Sequence, residues 1–212
     1  MRKSAAIRFG RMAARPPLAA AGQRIGLLGG SFNPPHAGHR LISQIALRRL
    51  GLDCVWWIVT PGNPLKKHDG LAPLRDRLAQ CRTLKRDSHI RVTAFETGLA
   101  SQFTAGTLAF LHMRNPGVRF VWLMGADCLV QFHRWQHWRD IFETLPIAVI
   151  DRPGLHMKSL ASPAARTFRS RQWPEQKARR MLTANTPAWT FLTGPLSPFS
   201  SAAIRGTTKS AK

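Results

Sequence analysis

The stretch GGSFNPPHAGH, residues 29–39, decides the fold that we expect for this chain. It follows the short apolar run RIGLLG, residues 24–29, which has the length and composition of a buried strand. It runs into AGHRLISQIALRRL, residues 37–50, where apolar residues share one helical face. The sequence therefore predicts a strand, a glycine turn and an amphipathic helix in succession.

The same alternation of apolar runs and amphipathic segments continues along the chain. Strands are predicted over residues 24–29, 54–60, 90–96, 118–125, 145–151 and 188–193. Helices are predicted over residues 37–50, 73–86 and 104–115. Apolar strands separated by helices indicate an α/β fold with a doubly wound, mostly parallel sheet covered on both faces. Ligands of such sheets bind beyond the carboxyl ends of the strands.

Length and charge suggest one domain with basic ends. The chain has 212 residues and a net charge of +22, and this length suits a single domain. Residues 1–23 are rich in Arg, Ala and Pro and predict a disordered basic extension; residues 24–206 form the predicted domain, and residues 207–212 a short basic tail. The charge would attract phosphate-rich partners such as nucleotides or nucleic acid. A solvated basic surface with no such partner accounts for it equally well.

Cysteine usage and hydropathy predict a cytoplasmic protein. The three cysteines are scattered singly, which argues against a disulfide framework and fits a reducing compartment. No apolar run approaches the roughly 18 residues that a bilayer span needs. The stretch PPLAAAG near the start is too short and too rich in proline for a signal peptide. We therefore expect no membrane association.

The glycine turn has the features of a phosphate site. Gly29 and Gly30 let backbone amides approach a bound group closely. A helix that begins near Ala37 presents free N–H groups and the positive end of its dipole to the same place. His36 and His39 are three apart at the helix start, so their side chains can face one space and donate hydrogen bonds to phosphate oxygens.

Metal binding and nucleophilic catalysis are less well supported roles for the histidine pair. A metal site would need further ligands, and the segment holds no Cys, Asp or Glu. A nucleophilic role would need an acid or an orienting partner, and none is near in sequence. Two ordinary, hydrogen-bonded core histidines remain an alternative, but the glycine turn favours a functional pair. Gly38 is expected to leave the helix surface bare, so that a nucleotide can lie against it.

These motifs resemble those of a known superfamily. GGSFNPPHAGH is similar to the H-x-G-H signature of the nucleotidylyltransferases, and FSSAAIR, residues 199–205, resembles their second motif. Between them, four further stretches resemble bacterial nicotinate-nucleotide adenylyltransferases: TPGNPLKK, FTAGTL, FVWLMGADCLVQFHRWQHW and VIDRPG. The resemblance covers nearly everything from residue 24 to residue 206 and implies a Rossmann-like nucleotidylyltransferase fold.

The resemblance implies a reaction and its catalytic residues. Such enzymes transfer the adenylyl group of ATP, their co-substrate, to nicotinate mononucleotide with the help of Mg²⁺, in a step of NAD biosynthesis. The mononucleotide phosphate attacks the α-phosphorus directly, so the protein supplies positioning and charge. The implied catalytic residues are His36, His39 and Arg205. The implied ATP-binding residues are Gly29, Gly30, Ser31, Phe32, His36, His39, Ser200, Ser201 and Arg205.

The resemblance also implies an acceptor site. Its residues by position are Asn33, Lys66, Thr104, Asp127, Trp135 and Gln136. Trp135 would stack on the pyridine ring, and backbone amides near Thr104 and Gln136 would receive its carboxylate. Three of these assignments keep structural alternatives: Asp127 as a helix cap, Trp135 as core, and Lys66 as a solvated loop residue. The resemblance implies no metal site made of protein ligands alone.

Two residues depart from the family pattern. Gly106 stands where the family usually has Asp, and Ala202 where it usually has Thr. The first removes a carboxylate near the acceptor, and the second removes a hydroxyl near the phosphates. Neither affects the histidine pair or Arg205.

Two other functions remain open. A sister transferase would use nicotinamide mononucleotide or phosphopantetheine as acceptor. A nucleic-acid-binding module would use the basic charge, but the sequence lacks the interleaved aromatic and basic pattern of single-strand binders. We expect no specific nucleic acid partner, and the sequence leaves the formation of a homo-oligomer open.

Replacing Arg205 by Lys tests the second motif. The lysine keeps the charge but loses the planar fork that binds phosphate oxygens bidentately. We expect a higher KM for ATP and little change in the affinity for the mononucleotide, both measured by steady-state kinetics. A loss confined to mononucleotide affinity would show that the second motif serves the other substrate.

Overall fold

A seven-stranded sheet with helices between its strands organises the chain, seen here in a computed structural model that describes residues 15–61, 70–99 and 103–195. The strands are β1 (Arg24–Gly30), β2 (Cys54–Val59), β3 (Ile90–Thr93), β4 (Arg119–Gly125), β5 (Ile147–Ile150), β6 (Gln172–Trp173) and β7 (Trp189–Leu192). The helices are α1 (Ala37–Leu50), α2 (Leu74–Lys85), α3 (Thr104–Arg114), α4 (Ala126–Gln131), α5 (Trp138–Thr144), α6 (His156–Leu160), α7 (Pro163–Thr167) and α8 (Ala178–Met181). The strand order is β3-β2-β1-β4-β5-β7-β6, and all six pairings are parallel.

The predicted fold class is confirmed. All six predicted strands and all three predicted helices are present, and most of their ends lie within two residues of the prediction. The third strand is shorter than predicted, because residues 95–98 form a 3₁₀ turn. The sequence missed β6, which has two residues, and helices α4 to α8, which have four to seven. Elements this short do not complete enough periods to be recognised from hydrophobic spacing.

Two hydrophobic clusters cover the two faces of the sheet. In β2, Trp56 and Ile58 belong to one cluster, whereas Trp57 and Val59 belong to the other, because successive side chains of a strand point to opposite faces. The first cluster includes residues of α3, α4, α5 and α7. The second includes residues of α1, α2 and α8. A strand buried on both sides has to be apolar throughout, as the run CVWWIV is.

The order of the strands puts β1 at the switch point of the sheet, where such sheets bind their ligands. The chain winds from β1 outward through β2 to β3, and then returns to the other side of β1 as β4. At such a switch point the loops after the two central strands diverge and leave a crevice at the carboxyl edge. The loop at residues 31–36 and the start of α4 lie at this edge.

Part of the predicted N-terminal extension contacts the domain. The backbone N–H of Gly22 donates to the carbonyl of Gly117 at 2.8 Å, and Arg91 donates to the carbonyl of Leu18 at 2.7 Å. Ala19 packs against the first hydrophobic cluster. A disordered extension would make no fixed contacts here. These contacts show that the packing of the domain begins before β1.

The helices of the described residues are short. The longest of those described, α1, has 14 residues. Within residues 15–61, 70–99 and 103–195, no helix combines the length and the apolar character that crossing a bilayer requires.

Gly26 in β1 provides a test of packing in the central strand. A Cβ atom there would lie 2.7 Å from Leu123 Cδ1 and 2.8 Å from Leu52 Cδ1. Overpacking of this kind costs about 1–3 kcal/mol, so Gly26→Ala should lower the free energy of unfolding by that amount. Gly30→Ala, in the same strand, is the control for stability, because its nearest neighbour would be at 3.5 Å. Equal unfolding midpoints in urea for the two variants would contradict the packing described here.

Candidate active site

The structure brings His36 and His39 together at the start of α1, directly beyond β1. His36 precedes the first helical residue with extended backbone (φ −147°), and its side chain is 5% exposed. The ring centroids of the two histidines are 3.9 Å apart. The proximity that the three-residue spacing predicted is therefore present, at the predicted edge of the sheet.

A backbone hydrogen bond determines which nitrogen of His39 carries the proton. The N–H of His36 donates to Nδ1 of His39 at 3.2 Å. Because Nδ1 accepts, the neutral ring holds its proton on Nε2. The backbone N–H of His39 donates in turn to the carbonyl of His36 at 2.9 Å. The ring of His39 is thus oriented by its own helix start and has a donor on Nε2.

Both histidines are neutral at physiological pH. Burial, followed by the positive charge of Arg152, lowers the pKa of His36 to about 4, against a smaller opposite effect of Asp127. Burial also lowers the pKa of His39 well below its usual value, with further contributions from His36 and Arg152. Each ring therefore acts as a neutral hydrogen-bond donor rather than as a cation.

Arg152 is a site residue that the sequence did not indicate. It follows β5, and its side chain is 11% exposed. Its Nε atom lies 3.5 Å from Oδ1 of Asp127. A Cβ atom on Gly38 would lie 2.9 Å from Arg152 Nη1 and from the ring of His36. The guanidinium therefore lies between the histidine pair and Asp127. The only signal in the sequence was a cation directly after a buried strand, in VIDRPG.

The surroundings of the glycines at this site differ from those that the sequence predicted. The space above Gly38, expected to be bare for a nucleotide, is taken by Arg152 and His36. A Cβ atom on Gly29 would collide with the ring of Trp122 in β4. Gly30 has no neighbour closer than 3.5 Å to such an atom, so it alone of the predicted glycine pair keeps space for a close backbone approach.

The ring of Phe32 packs against the ring of His39. The residue as a whole is 1% exposed, so its predicted contact with the nucleotide stays a prediction. The ring of Phe32 lies 4.4 Å from that of His39 and is stacked at 5.3 Å on Trp57. Trp57 Nε1 donates to Ser43 Oγ at 2.7 Å, and Ser43 Oγ donates to the carbonyl of His39 at 2.9 Å. Packing and hydrogen bonds thus hold His39 from two sides.

Asn33 connects the glycine turn to the segment before α2. Its Nδ2 donates to the carbonyl of Gly70 at 2.9 Å, and its Oδ1 accepts from the N–H of Ala72 at 3.2 Å. Both ends of the amide are therefore used inside the protein. Its predicted contact with substrate stays a prediction.

Among the predicted acceptor residues, Trp135 packs against the first hydrophobic cluster. Thr104 is the first residue of α3, where backbone N–H groups have no acceptor within the helix. Trp135 packs edge-on to Trp122, with ring centroids 6.4 Å apart, and Trp122 lies against Gly29 at the end of β1. Through Trp122, the predicted acceptor aromatic is thus close to the glycine turn.

Trp135 and its neighbours differ in burial. Trp138 is edge-on to Phe142 and Phe168 and packs, partly buried, against the first hydrophobic cluster. Trp135 packs on Phe132 at 4.9 Å but remains partly exposed, and Gln136 is exposed. Trp138 is partly buried as well, so burial does not distinguish the predicted stacking residue Trp135 from its neighbour.

Some predicted residues cannot be placed. Lys66 and the second-motif residues Ser200, Ser201 and Arg205 lie outside the described residues. Their roles remain predictions from the sequence.

The described residues offer little for a metal held by protein alone. Within residues 15–61, 70–99 and 103–195, no group of three or more His, Cys, Asp or Glu side chains is arranged to hold a metal ion. Asp127 follows β4 and presents a carboxylate that is 43% exposed beside Arg152. One carboxylate together with substrate phosphates is the usual setting for Mg²⁺.

Two solved structures superpose on most of the chain. A nicotinic acid mononucleotide adenylyltransferase of Plasmodium falciparum, complexed with NaAD, superposes with a TM-score of 0.65 at 16% identity. The match covers 87% of this chain and 83% of that one. A second structure, complexed with APC, gives a TM-score of 0.63 at 15% identity. At this identity the likeness establishes the fold alone.

Sequence relatives establish the family. A "Probable nicotinate-nucleotide adenylyltransferase" of Agrobacterium fabrum is 55% identical over 185 residues, which span 87% of this chain and 99% of the relative. A relative of the same name in Methylorubrum extorquens is 55% identical over 86% of this chain and 98% of its own length. The cytidylyltransferase-like family matches residues 27–206. The chain therefore belongs to the cytidylyltransferase-like family of nucleotidyltransferases, among the enzymes named nicotinate-nucleotide adenylyltransferase.

Proposed function

We propose that this chain transfers the adenylyl group of ATP to nicotinate mononucleotide, which gives nicotinate adenine dinucleotide and pyrophosphate. The observation that carries the proposal is the neutral histidine pair at the carboxyl edge of β1, with its rings 3.9 Å apart and Arg152 beside it. The name shared by relatives at 55% identity indicates which acceptor the site uses.

The chemistry needs no nucleophile from the protein. An oxygen of the mononucleotide phosphate attacks the α-phosphorus of ATP, and the bond from that phosphorus to the bridging oxygen of the β-phosphate breaks. Pyrophosphate leaves with the bonding electrons, so negative charge grows on the phosphate oxygens. His39 meets that charge with its Nε2–H, His36 adds a second donor, and Arg152 supplies a positive charge.

Neutral histidines suit this role in a basic site. Two imidazolium ions 3.9 Å apart beside Arg152 would repel each other and the guanidinium. A neutral Nε2–H is already aimed by the hydrogen bond at Nδ1, so it needs no reorganisation when charge develops. Arg205 of the second motif would add a bidentate contact to the leaving phosphates.

The residues of this site fit a Mg²⁺ ion that binds together with ATP. Asp127 would hold the ion together with the phosphate oxygens, since the described residues do not form a cage of protein ligands. When bound, Mg²⁺ neutralises part of the charge on the triphosphate. The pairing of Asp127 with Arg152 at 3.5 Å keeps its carboxylate at the edge of the histidine site.

The acceptor site combines an aromatic face with backbone donors. Trp135, partly exposed and buttressed by Trp122, would stack on the pyridine ring. The first N–H groups of α3, at Thr104, would donate to the carboxylate in the way that helix starts bind anions. Lys66 would contact the mononucleotide phosphate.

We further propose a cytoplasmic location. All three cysteines are free, and Cys54 and Cys81 are buried. Free thiols are typical of reducing compartments.

A pyrophosphate-release assay with ATP and a panel of acceptors tests the proposed function. The panel contains nicotinate mononucleotide, nicotinamide mononucleotide and phosphopantetheine. Turnover with the first is expected. Turnover with phosphopantetheine alone would assign the chain to a sister reaction, and adenylyl transfer to none of the three would refute the proposal.

Replacing His39 by Ala removes the oriented donor. We expect turnover to fall by about 10²–10³-fold with little change in ATP binding, because the lost hydrogen bond forms mainly in the transition state. The control is His112→Ala, an exposed histidine on α3. Near-normal turnover of His39→Ala at saturating substrate would exclude His39 from catalysis.

The low pKa of His36 predicts a pH dependence of stability. An unfolded histidine binds a proton below about pH 6.5, but folded His36 does so only near pH 4. The free energy of unfolding should therefore be highest above pH 6.5 and decrease as the pH falls towards 4. In His36→Asn that decrease should be smaller, as measured by urea unfolding at several pH values. Parallel curves for the two proteins would contradict a neutral, buried His36.

The acceptor site should prefer the acid to the amide. Nicotinamide would turn its NH₂ towards backbone donors and leave buried polar groups unpaired, at about 1–3 kcal/mol for each. We expect kcat/KM for nicotinate mononucleotide to exceed that for nicotinamide mononucleotide at least tenfold. Equal values would show that the helix start at Thr104 does not read the carboxylate.

A further inference from the structure

Arg77 is a buried cation outside the residues discussed so far. It lies in the first turn of α2, and the residue is 1% exposed. Among the described residues, no carboxylate forms an ion pair with it. A positive charge near a helix N-terminus is also opposed by the helix dipole. The position of Arg77 therefore costs stability and calls for a compensating reason.

The guanidinium donates to four backbone carbonyls from three segments of the chain. Nη1 donates to Ser31 and to Thr60, both at 2.7 Å. Nη2 donates to Pro61 at 3.1 Å, and Nε donates to Ala72 at 2.8 Å. Arg77 thus joins the loop after β1, the end of β2 and the approach to α2. A planar fork with five N–H groups can satisfy carbonyls in several directions, which a lysine cannot do in the same geometry.

The bond to Ser31 restrains the backbone of the next residue. The carbonyl of Ser31 belongs to the peptide group that precedes Phe32, and the angle φ of Phe32 sets how that group is turned. Phe32 has φ +47°, in the left-handed region that favours glycine. This conformation is unfavourable for a residue with a side chain, which keeps it only where its surroundings hold it. Arg77 holds the carbonyl that defines this conformation.

Phe32 in turn determines where His39 lies. Its ring fills the space beneath His39 at 4.4 Å and stacks on Trp57. If Phe32 relaxed to negative φ, its side chain would leave this space. His39 would then lose its support on one side, although the hydrogen bond from His36 would remain.

We propose that Arg77 is a positioning residue for adenylyl transfer, which holds the Ser31 carbonyl so that Phe32 keeps its left-handed conformation and supports the ring of His39. This inference rests on the proposed function, because it assigns to Arg77 an effect on turnover through His39. The alternative is that Arg77 is a folding clamp: it joins the three segments and stabilises the fold, with no effect on turnover.

Arg77→Lys is the first test, with Arg75→Lys as the matched control. Both substitutions keep the charge and lie in the same helix, but the side chain of Arg75 is 96% exposed. We expect kcat of Arg77→Lys to fall at least tenfold, towards the roughly 10²-fold that small misplacements of a catalytic group can cost. KM values should change less than kcat, and Arg75→Lys should behave as wild type. Unchanged kcat together with a lowered Tm would support the folding clamp and overturn the proposal.

A double-mutant cycle with Phe32→Gly separates the positioning role from the folding clamp further. Glycine adopts positive φ without strain and has no ring to place, so Arg77 has nothing left to act on. Arg77→Lys should then lower kcat much less in the Phe32→Gly background than in wild type. Equal losses in both backgrounds would show that Arg77 does not act through Phe32. Arg77→Gln, which keeps some donors, enters the same cycle if Arg77→Lys does not fold.

One measurement does not depend on turnover. In protein labelled with ¹⁵N-histidine, the ring nitrogen shifts of His39 should change in Arg77→Lys and stay unchanged in Arg75→Lys. If wild type transfers no adenylyl group to any acceptor, the proposed function fails, whereas the shifts still report on positioning. If wild type is active and the His39 shifts are the same in all three proteins, the positioning role of Arg77 is refuted.

Discussion

The parallel pairing of β1 with both β2 and β4 is the constraint on which the rest of the molecule depends. It makes β1 the centre of the sheet and forces the chain to leave its carboxyl end in a tight turn. The loop after β1 and the start of α4 then lie at the same edge of the sheet, at its switch point. The histidine pair, Asp127 and Arg152 meet there because they follow three neighbouring strands, β1, β4 and β5. A different strand order would separate them even with the same helices.

The electrostatics of the site combine fixed cations with neutral donors. Arg152 lies beside Asp127, and burial together with the positive field of Arg152 lowers the pKa of the two histidines. The rings are therefore donors whose direction is set in advance by the hydrogen bond from His36 to His39. This arrangement suits a reaction whose substrate brings its own nucleophile and whose leaving group is strongly anionic. The net charge of +22 fits anionic substrates, without requiring a nucleic acid partner.

The support beneath the histidines extends into the core. Trp57 in β2 stacks under Phe32 and binds Ser43 of α1, and Ser43 binds the carbonyl of His39. Arg77 adds a third element, α2, by holding the carbonyl before Phe32. Catalytic groups need placement within a fraction of an ångström, and rigid elements supply it better than loops do. The turn of residues 29–39 is short in sequence, yet residues of three elements, β2, α1 and α2, hold it in place.

The sequence by itself determined the fold class, most of the elements and the histidine pair, because these depend on local patterns. Hydrophobic periodicity predicted α1 at residues 37–50, where the structure has it, and glycine and proline marked the ends of the strands. Only the tertiary structure revealed the contacts of Arg77 and Arg152, because each contacts residues distant in sequence. Nothing near Arg77 in the chain shows that its guanidinium reaches Ser31, 46 residues away. The sequence also does not show why positions 29 and 38 require glycine. The atoms that exclude a side chain there come largely from β4 and from the loop after β5. Such contacts arise only when the strands are assembled, so no pattern along the chain records them.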